Sequence, residues 1–292
     1  MTPLLLGLRR AVGLFAALLA FLVLAGTTYQ GVATALERHR LPRPGGLVDA
    51  GGHQLHIYCT GEGSPVVVLE AGTGSMSAAW GWVQPEIARS TRVCSYDRAG
   101  LGWSEAGDGS YIPSRVPEEL RVLLDRSNET GPIVLVGHEL GALYARMYAA
   151  RFARDTAALV LIDDPVTGHS SVAPVFPSAW PWLARVGVLR LSGRLSSLAS
   201  GLPGASADAM RAFLNRPDHL TRAAMELSQF DQVEGTARAL TLSPQIIVTD
   251  VTIGSAAQPA MLVTRDDAGK VMQAIEATVE QVRKSEVSAR FE

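Results

Sequence analysis

The chain has 292 residues, of which 47% are hydrophobic and only 18% are charged, and its formal net charge is −2 at pH 7. This length and composition predict one large globular domain with a substantial core. The nearly neutral charge excludes the basic surface with which nucleic-acid-binding proteins neutralise phosphates, so no nucleic-acid partner is expected.

The N-terminus contains an uncharged apolar run, AVGLFAALLAFLVLAGTTY, at residues 11–29. The run is long enough to span a bilayer as a helix. A cleaved signal peptide is the alternative, with Ala33–Ala35 as a small-residue cleavage site, but that site lies far beyond a run that is itself long for a signal. We therefore predict a transmembrane anchor at 1–30 and a linker at 31–46. Arginines on both sides of the run leave its orientation open.

Strand and helix patterns alternate after the linker. Two short strand patterns around a Gly-Gly turn, Val48–Asp49 and Gln54–Cys59, predict a hairpin. Buried strands are predicted from Val66 and from Arg92, and a helix with one apolar face is predicted over 117–127. This alternation predicts an α/β fold, with a mostly parallel sheet and helices on both faces.

A tight turn between a buried strand and a helix is the centre of the predicted site. We call this turn the elbow; its residues are Gly137, His138, Glu139, Leu140 and Gly141. Glycines at both ends allow close approach of the backbone. The spacing is that of a nucleophile elbow, G-x-S-x-G, which presents a reactive side chain above a sheet at a helix N-terminus. Here Glu139 stands in the place of the serine.

The order of these motifs resembles the α/β-hydrolase superfamily, and most closely its bacterial membrane-anchored members. The resemblance rests on D-R-x-G-x-G-x-S at 97–104, followed by the elbow as G-H-x-x-G, and it is strongest over 48–165. It implies an eight-stranded, mostly parallel sheet with helices on both faces and a helical cap inserted after strand six. Asp97 and Ser104 of the first motif are predicted to bond local amides in a turn.

The resemblance divides the chain after the linker into two core parts and one insertion. The first core part covers 47–165, and the last covers 241–292. The segment between them, 166–240, is assigned to the cap, because a stretch of that length needs structure of its own and lids are its usual purpose. The last core part contains two predicted strands and a final helix, at 245–249, 260–264 and 270–284.

The chemistry implied by the resemblance needs a nucleophile, a carboxylate, a histidine base and backbone donors for an oxyanion. Candidate backbone donors are the amides of Leu140, Gly72 and Thr73. The candidate acid is Asp250, at the predicted tip of strand seven, with Asp163 and Asp164 after strand six as alternatives. Each of these aspartates could instead cap a loop.

The histidine base is the part that the sequence lacks. No histidine follows His219, and residues 265–269 occupy the place after the last predicted strand where the family carries its base. His138 belongs to the elbow and normally points beneath it. His169 and His219 fall in the cap, where packed or solvated histidines are far commoner than bases. We predict neither a cofactor nor a metal ion.

Glu139 leaves two interpretations open. It can act as a carboxylate nucleophile, as aspartate does in epoxide hydrolases and haloalkane dehalogenases of this fold, although the resulting ester still needs a histidine-activated water. It can also be a favourable anion at a helix N-terminus. Because nucleophile and base are both altered, the sequence favours a membrane-tethered pseudo-hydrolase that keeps a pocket for an apolar ligand or a partner protein. An active hydrolase of ester-type bonds, using Glu139 or a rewired base, is the alternative.

The only two cysteines of the chain, Cys59 and Cys94, end one predicted strand and begin another. In the fold that the resemblance implies, the second strand runs antiparallel beside the fourth, so the two residues can meet within the roughly 4.4–6.8 Å between Cα atoms that a disulfide needs. A disulfide would place the domain outside the cytoplasm. The alternative is two buried thiols that act as small hydrophobic groups.

Overall fold

The computed structural model of the chain describes residues 3–168, 179–253 and 264–291. Within these ranges, seven strands form one sheet in the order β1-β2-β4-β3-β5-β6-β7. The strands are β1 Gly46–Asp49, β2 Gln54–Thr60, β3 Val66–Glu70, β4 Val93–Tyr96, β5 Ile133–His138, β6 Thr156–Ile162 and β7 Ile247–Val251.

Helices precede, connect and follow these strands. The α-helices are α1 Pro3–Arg40, α2 Gln84–Ile87, α3 Val116–Arg126, α4 Leu140–Arg151, α5 Trp180–Arg185, α6 Val188–Ser192, α7 Gly204–Leu214, α8 Pro217–Ser228, α9 Phe230–Ala239 and α10 Arg265–Phe291. Short 3₁₀ helices cover Ser77–Trp80, Pro113–Arg115, Pro165–Thr167 and Ser196–Gly201.

The sheet is mostly parallel. Strand β2 pairs antiparallel with β1 and with β4, whereas β3, β5, β6 and β7 pair parallel with their neighbours. Strand β5, which leads into the elbow, lies between β3 and β6, and all of its residues are buried. A fully buried strand needs cover on both faces. The predicted fold class is confirmed, and the elbow lies near the middle of the sheet.

Helices cover both faces of the sheet, as predicted. Helices α3 and α4 contribute Leu123 and Tyr148 to the core on one face. On the other face, α10 presents a buried stripe at three- and four-residue spacing, made of Val271, Ile275, Val279 and Val282. The helix–strand alternation in the sequence is therefore sufficient to predict this three-layer arrangement.

The end of the sheet differs in detail from the prediction. Strand β7 begins at Ile247 instead of Gln245, because the amide of Ile246 donates to the carbonyl of Ser243 (3.1 Å) and closes a turn before the strand starts. The predicted eighth strand, 260–264, lies outside the described residues except for Thr264, which is not in a strand.

Helix α1 is longer than the predicted anchor and is not isolated. The predicted linker, 31–46, is helical as far as Arg40, so the irregular connection before β1 covers only 41–45. The described side chains before residue 26 are exposed, and the helix is long and apolar enough to cross a membrane. Beyond that point the helix packs on the folded domain, because Gly26 and later residues contact other helices.

Five helices, α5 to α9, lie in the chain between β6 and β7, and we call them the inserted helices. They fall within the predicted segment 166–240, of which residues 169–178 lie outside the described ranges. The inserted helices have a hydrophobic cluster of their own, which includes Leu189, Phe213 and Leu220. Helix α9 also packs on α4, the helix that follows the elbow.

Candidate functional site

The backbone of the elbow is strained at Glu139. This residue has φ 51° and ψ −112°, in a region that residues other than glycine rarely adopt. Two hydrogen bonds hold the conformation. The amide of Glu139 donates to the carbonyl of Ile162 (2.9 Å), and the carbonyl of Glu139 accepts from the amide of Ala142 (2.9 Å).

The two glycines of the elbow are required by space. A Cβ on Gly137 would clash with the backbone of Gly141, and a Cβ on Gly141 would clash with the carbonyl of Glu70. Strand β5, helix α4 and the end of β3 therefore approach one another more closely than side chains would permit. The prediction of a tight, glycine-dependent turn is confirmed.

The carboxylate of Glu139 lies on the loop that follows β3. Its Oε2 accepts a hydrogen bond from the amide of Thr73 at 3.0 Å, and the side chain is only 3% exposed. A Cβ on Gly72 would lie 3.0 Å from the same oxygen, so the absence of a side chain there leaves room for the carboxylate. The amide that was predicted to receive a substrate oxyanion is thus occupied by an oxygen of the chain itself.

The environment of Glu139 disfavours its charge. Burial raises the pKa of this carboxyl, and the hydrogen bonds from Thr73 oppose the shift without cancelling it. The carboxylate of Glu226 adds a smaller repulsion. Within the described part of the chain, Oε1 of Glu139 is buried without a hydrogen-bond partner.

Leu140, whose amide is the other predicted donor, is the first residue of α4.

The next amide of the same loop is also bonded to a carboxylate. The amide of Gly74 donates to Oε2 of Glu226 at 2.8 Å, and Glu226 projects from the inserted helix α8. Arg98 bridges this glutamate to the sheet: its Nε lies 2.7 Å from Oε1 of Glu226, and its Nη1 lies 2.6 Å from Oε1 of Glu70. We call Glu70, Arg98 and Glu226 the buried triad.

Arg98 uses all of its hydrogen-bonding capacity. Besides the two glutamates, its guanidinium donates to the carbonyls of Ala71 (2.6 Å) and Gly72 (2.8 Å). A guanidinium has five N–H donors, and Arg98 makes five hydrogen bonds with them. Burial opposes the charge of Arg98, but the two carboxylates outweigh it and raise its pKa well above the ordinary value.

Sequence reasoning missed the buried triad. One signal was available for Glu226: it lies seven residues after His219 and three after Ala223, on the buried stripe of an amphipathic helix. A glutamate on such a stripe requires a partner, because an unpaired buried charge is costly. The identity of that partner depends on which loop faces α8, and sequence spacing does not supply this.

The candidate acids occupy different surroundings. Asp250 is exposed within β7, opposite Leu161, so the tip of the strand is Val251. Asp163 is buried, accepts from the amide of Ile253 (2.9 Å), and has Oδ2 3.9 Å from Nε2 of His138. The geometry thus associates Asp163, the alternative candidate, with the elbow histidine.

Asp164 has the capping role that the sequence left open. Its Oδ1 accepts from the amide of Val166 at 3.0 Å, and its Oδ2 accepts from Nε of Arg146 at 2.8 Å. The side chain therefore begins the 3₁₀ turn Pro165–Thr167 and ties it to α4. Such a fully engaged aspartate serves loop structure.

Two histidines near the elbow are held in neutral form. Burial lowers the pKa of His138 to about 4. His219 accepts from the amide of Gly102 through Nδ1 (3.1 Å), so its proton lies on Nε2, which donates to the carbonyl of Gly74 (3.0 Å). Burial lowers the pKa of His219 as well. The interpretation of His219 as a packed residue is confirmed, whereas His169 lies outside the described residues.

The first motif of the resemblance has a structural role, as predicted. Asp97 accepts from the amides of Ser77 (2.7 Å) and Trp103 (2.9 Å), and Ser104 donates to the carbonyl of Asp97 (2.6 Å). Asp97 also lies 2.9 Å from Nδ1 of His56, whose Nε2 lies 2.6 Å from the carbonyl of Pro44. These contacts fix the connection before β1 against the core.

The two cysteines are directly opposite each other in the antiparallel pair of β2 and β4, and they form a disulfide. Their Cα atoms are 4.0 Å apart. The strand order that brings them together is the one that the resemblance implied. Since both strands belong to the main sheet, the disulfide crosses two core strands that lie next to each other in the fold.

Comparisons with known proteins converge on one family. A model of the alpha/beta hydrolase family matches residues 66–289. An N-formylmaleamate deformylase of Pseudomonas putida is 30% identical over 58% of this chain and 58% of its own length. An uncharacterized vacuolar membrane protein of Saccharomyces cerevisiae is 29% identical over 38% of this chain and 20% of its own length. The chain therefore covers less than two thirds of these curated relatives.

A solved structure shows the same fold. The crystal structure of Cfl2 from Burkholderia cenocepacia superposes with a TM-score of 0.61, covering 80% of this chain and 94% of that one at 19% sequence identity. At this identity the likeness concerns the arrangement of strands and helices.

Proposed function

Because the chain belongs to the alpha/beta hydrolase family, we propose that it is a membrane-anchored member in which hydrolase catalysis is lost. In this proposal the fold keeps a binding pocket and serves as a receptor for an apolar ligand or a partner protein. The elbow supplies a resident carboxylate, Glu139, in place of a nucleophilic serine.

The observation that carries the proposal is the hydrogen bond from the Thr73 amide to Glu139 (3.0 Å). In a hydrolase, a backbone donor at this place stabilises the negative oxygen of the transition state, and losing one such donor costs about 2.7–4 kcal/mol. The Glu139 oxygen already bound there competes with a substrate oxygen for the same donor. The neighbouring amide of Gly74 is likewise bonded to Glu226.

The histidines also support loss of catalysis. His138 is buried and neutral, and both ring nitrogens of His219 are used in structural hydrogen bonds. Losing one member of a catalytic triad lowers the rate by a factor on the order of 10⁴ to 10⁶. With the serine replaced and no histidine in the family's position, the remaining groups are too few for ordinary ester hydrolysis.

We further propose that α1 is a single-pass anchor and that the folded domain lies outside the cytoplasm. The exposed, uncharged surface of residues 11–25 fits the hydrocarbon of a bilayer. The disulfide between Cys59 and Cys94 favours an oxidising compartment, because cytoplasmic thiols are kept reduced.

A cavity of about 510 Å³ supports the choice of an apolar ligand. It lies between the connection at 41–44, the 3₁₀ helix at 77–80 and the inserted helix α7, and its lining includes Pro42, Trp80 and Trp103. This volume is within the usual range for small-molecule sites, which are mostly lined by apolar and aromatic side chains.

Ester turnover and labelling by a fluorophosphonate, measured on the purified full chain in detergent, test the loss of catalysis. We expect neither for the wild type or for Glu139→Ser, because a serine placed there still has no base. Robust turnover by Glu139→Ser would contradict the proposal.

One observation favours the alternative of an active hydrolase: Oε1 of Glu139 has no hydrogen-bond partner in the described part of the chain, so its lone pairs are free to attack. If this alternative holds, the wild type hydrolyses an ester or a related substrate, Glu139→Gln abolishes the activity, and the control Glu276→Gln on the exposed face of α10 retains it. That pattern would make Glu139 a carboxylate nucleophile.

A further inference from the structure

Large apolar side chains are exposed on α5, on α6 and on the 3₁₀ helix that follows them. Five of them lie between residues 182 and 198: Trp182, Leu183, Val188, Leu191 and Leu198. We call these five residues the apolar patch. Trp182 is 69% exposed and Leu191 is 71% exposed. Apolar side chains of this size are usually buried in the core of a domain. Val188 and Leu191 lie one helical turn apart on α6 and face the same way.

The apolar patch adjoins the point where α1 meets the folded domain. Gly26 of α1 lies against the backbone of Val186, and any Cβ on Gly26 would clash with the carbonyl of Val186. Gly187, which has φ 71°, lies against the ring of Tyr29, since a Cβ on Gly187 would lie 3.0 Å from that ring. The turn between α5 and α6 is therefore in direct contact with α1.

Polar contacts make this junction rigid. Nε2 of Gln30 donates to the carbonyl of Asn215 at 2.7 Å, and Nε of Arg190 donates to Oε1 of Gln30 at 3.0 Å. Nη2 of Arg190 also donates to Glu37 at 3.0 Å. Helix α1 and the inserted helices are thus joined both by close backbone packing and by hydrogen bonds.

The length of α1 then sets the depth of the apolar patch relative to the bilayer. The uncharged part of α1, residues 11–29, rises about 28 Å as a helix, which is close to the thickness of the bilayer hydrocarbon. The described side chains along this stretch are exposed. If it spans the bilayer, Gly26 lies within about one helical turn of the edge of the hydrocarbon, and Val186, which it touches, lies at a similar depth.

We propose that the inserted helices lie on the bilayer, with the apolar patch buried at the boundary between lipid headgroups and acyl chains. The proposal rests on the proposed role of α1 as the anchor. Tryptophan is favoured at this depth, and the guanidinium of Arg185 stacks 4.8 Å from the ring centre of Trp182. Arg185 and Arg194 are exposed beside the patch and can meet lipid phosphates.

Depth-dependent quenching in nanodiscs of phosphatidylcholine and phosphatidylglycerol tests the proposal on the full chain. An environment-sensitive fluorophore is attached, without reductant, to Leu191→Cys and, in a second variant, to Val188→Cys. The matched control is Arg154→Cys, which is exposed before β6, at the end of the sheet opposite the elbow. Leu18→Cys, in the middle of the apolar part of α1, reports on the anchor.

We expect the labels at 191 and 188 to emit at shorter wavelength than the label at 154 and to be quenched by lipids with a nitroxide near the headgroup. The label at 18 should be quenched most by a nitroxide deep in the acyl chain. If the label at 18 is quenched but the labels at 191 and 188 show the emission and quenching of the label at 154, the anchor is supported and the inference is wrong. A blue shift at 191 without lipid quenching would indicate a protein contact, such as a second copy, and would also overturn it. If 18 is not quenched, the anchor itself is wrong, and the inference falls with it.

Discussion

Glu139 is a carboxylate in a buried, strained position, and two opposing effects act on its charge. Burial disfavours the ionised form, whereas the amide of Thr73 favours it. Burial prevails and raises the pKa of the carboxyl above its ordinary value of 4.5. The folded protein therefore binds a proton at Glu139 more tightly than the unfolded chain does, which stabilises the fold at low pH. That contribution is lost as the pH rises through the folded-state pKa.

Replacing Glu139 by glutamine is expected to remove this pH dependence. At pH 8, Glu139→Gln should increase the free energy of unfolding by about 1–3 kcal/mol, the usual cost of a buried group that lacks partners. At pH 4 the variant and the wild type should differ little, because both are neutral at this position. Thermal unfolding in detergent at the two pH values measures the difference, and Glu276→Gln on the exposed face of α10 is the control. Equal stabilisation at both pH values would contradict the assigned pKa shift.

At the site, the sequence predicts the backbone more reliably than the side-chain contacts. The spacing of Gly137 and Gly141 is sufficient to predict the elbow, because the close approach needs glycine at those two positions. The bond between Glu139 and Thr73 joins residues 66 positions apart, and it depends on how a loop closes over the turn. Local patterns carry no information about such a closure, so the occupied donor was not predicted.

Among the elements, the buried triad connects the inserted helix α8 to the end of β3. Arg98 is 4% exposed and lies between two carboxylates that are themselves buried. Removing one partner of a buried ion pair leaves the other charge uncompensated, which costs about 3–5 kcal/mol. The guanidinium of Arg98 is therefore the charged link between α8 and the sheet, beside the hydrogen bonds that His219 and Glu226 make to the loops.

Arg98→Met is accordingly expected to destabilise the fold by about 3–5 kcal/mol. The matched control is Arg89→Met, which breaks an ion pair with Glu86 in which the arginine is 75% exposed. Exposed pairs contribute at most about 1 kcal/mol. Chemical denaturation of both variants measures the contrast. Adding Glu70→Gln and Glu226→Gln to Arg98→Met should recover part of the loss. A loss for Arg98→Met no greater than for Arg89→Met would contradict the role assigned to the triad.

Element boundaries depended on tertiary contacts. The hairpin, the central strand and the apolar stripe of α10 follow from sequence periodicity alone, because a period of two or of 3.6 residues places their apolar groups on one face. Helix α1, by contrast, continues through the predicted linker to Arg40, where its pairing of Glu37 with Arg190 supports the extra turns. Arg190 lies 153 residues away, so no local pattern indicated that extension.

For the molecule as a whole, the disulfide and the anchor together predict that the folded domain lies outside the cytoplasm. Protein prepared from its own membranes without reductant should contain the bond between Cys59 and Cys94 and no alkylatable thiol. The double variant with serine at both positions should lose about 2–4 kcal/mol of stability, the usual effect of removing a disulfide. Mass spectrometry after alkylation measures the bond, and two alkylated thiols would contradict the proposed extracytoplasmic location.

The central claim is that Glu139 occupies the anion site without acting as a nucleophile. With an epoxide, a carboxylate nucleophile opens the ring and forms a covalent ester, and water then attacks the carbonyl carbon of the glutamate in that ester, which leaves one solvent oxygen in its side chain. Excess wild-type protein is therefore incubated with short-chain epoxides in heavy-oxygen water, and the mass of the peptide that contains Glu139 is measured by mass spectrometry. We expect its mass to be unchanged. Incorporation of heavy oxygen at Glu139, accompanied by product, would contradict the account.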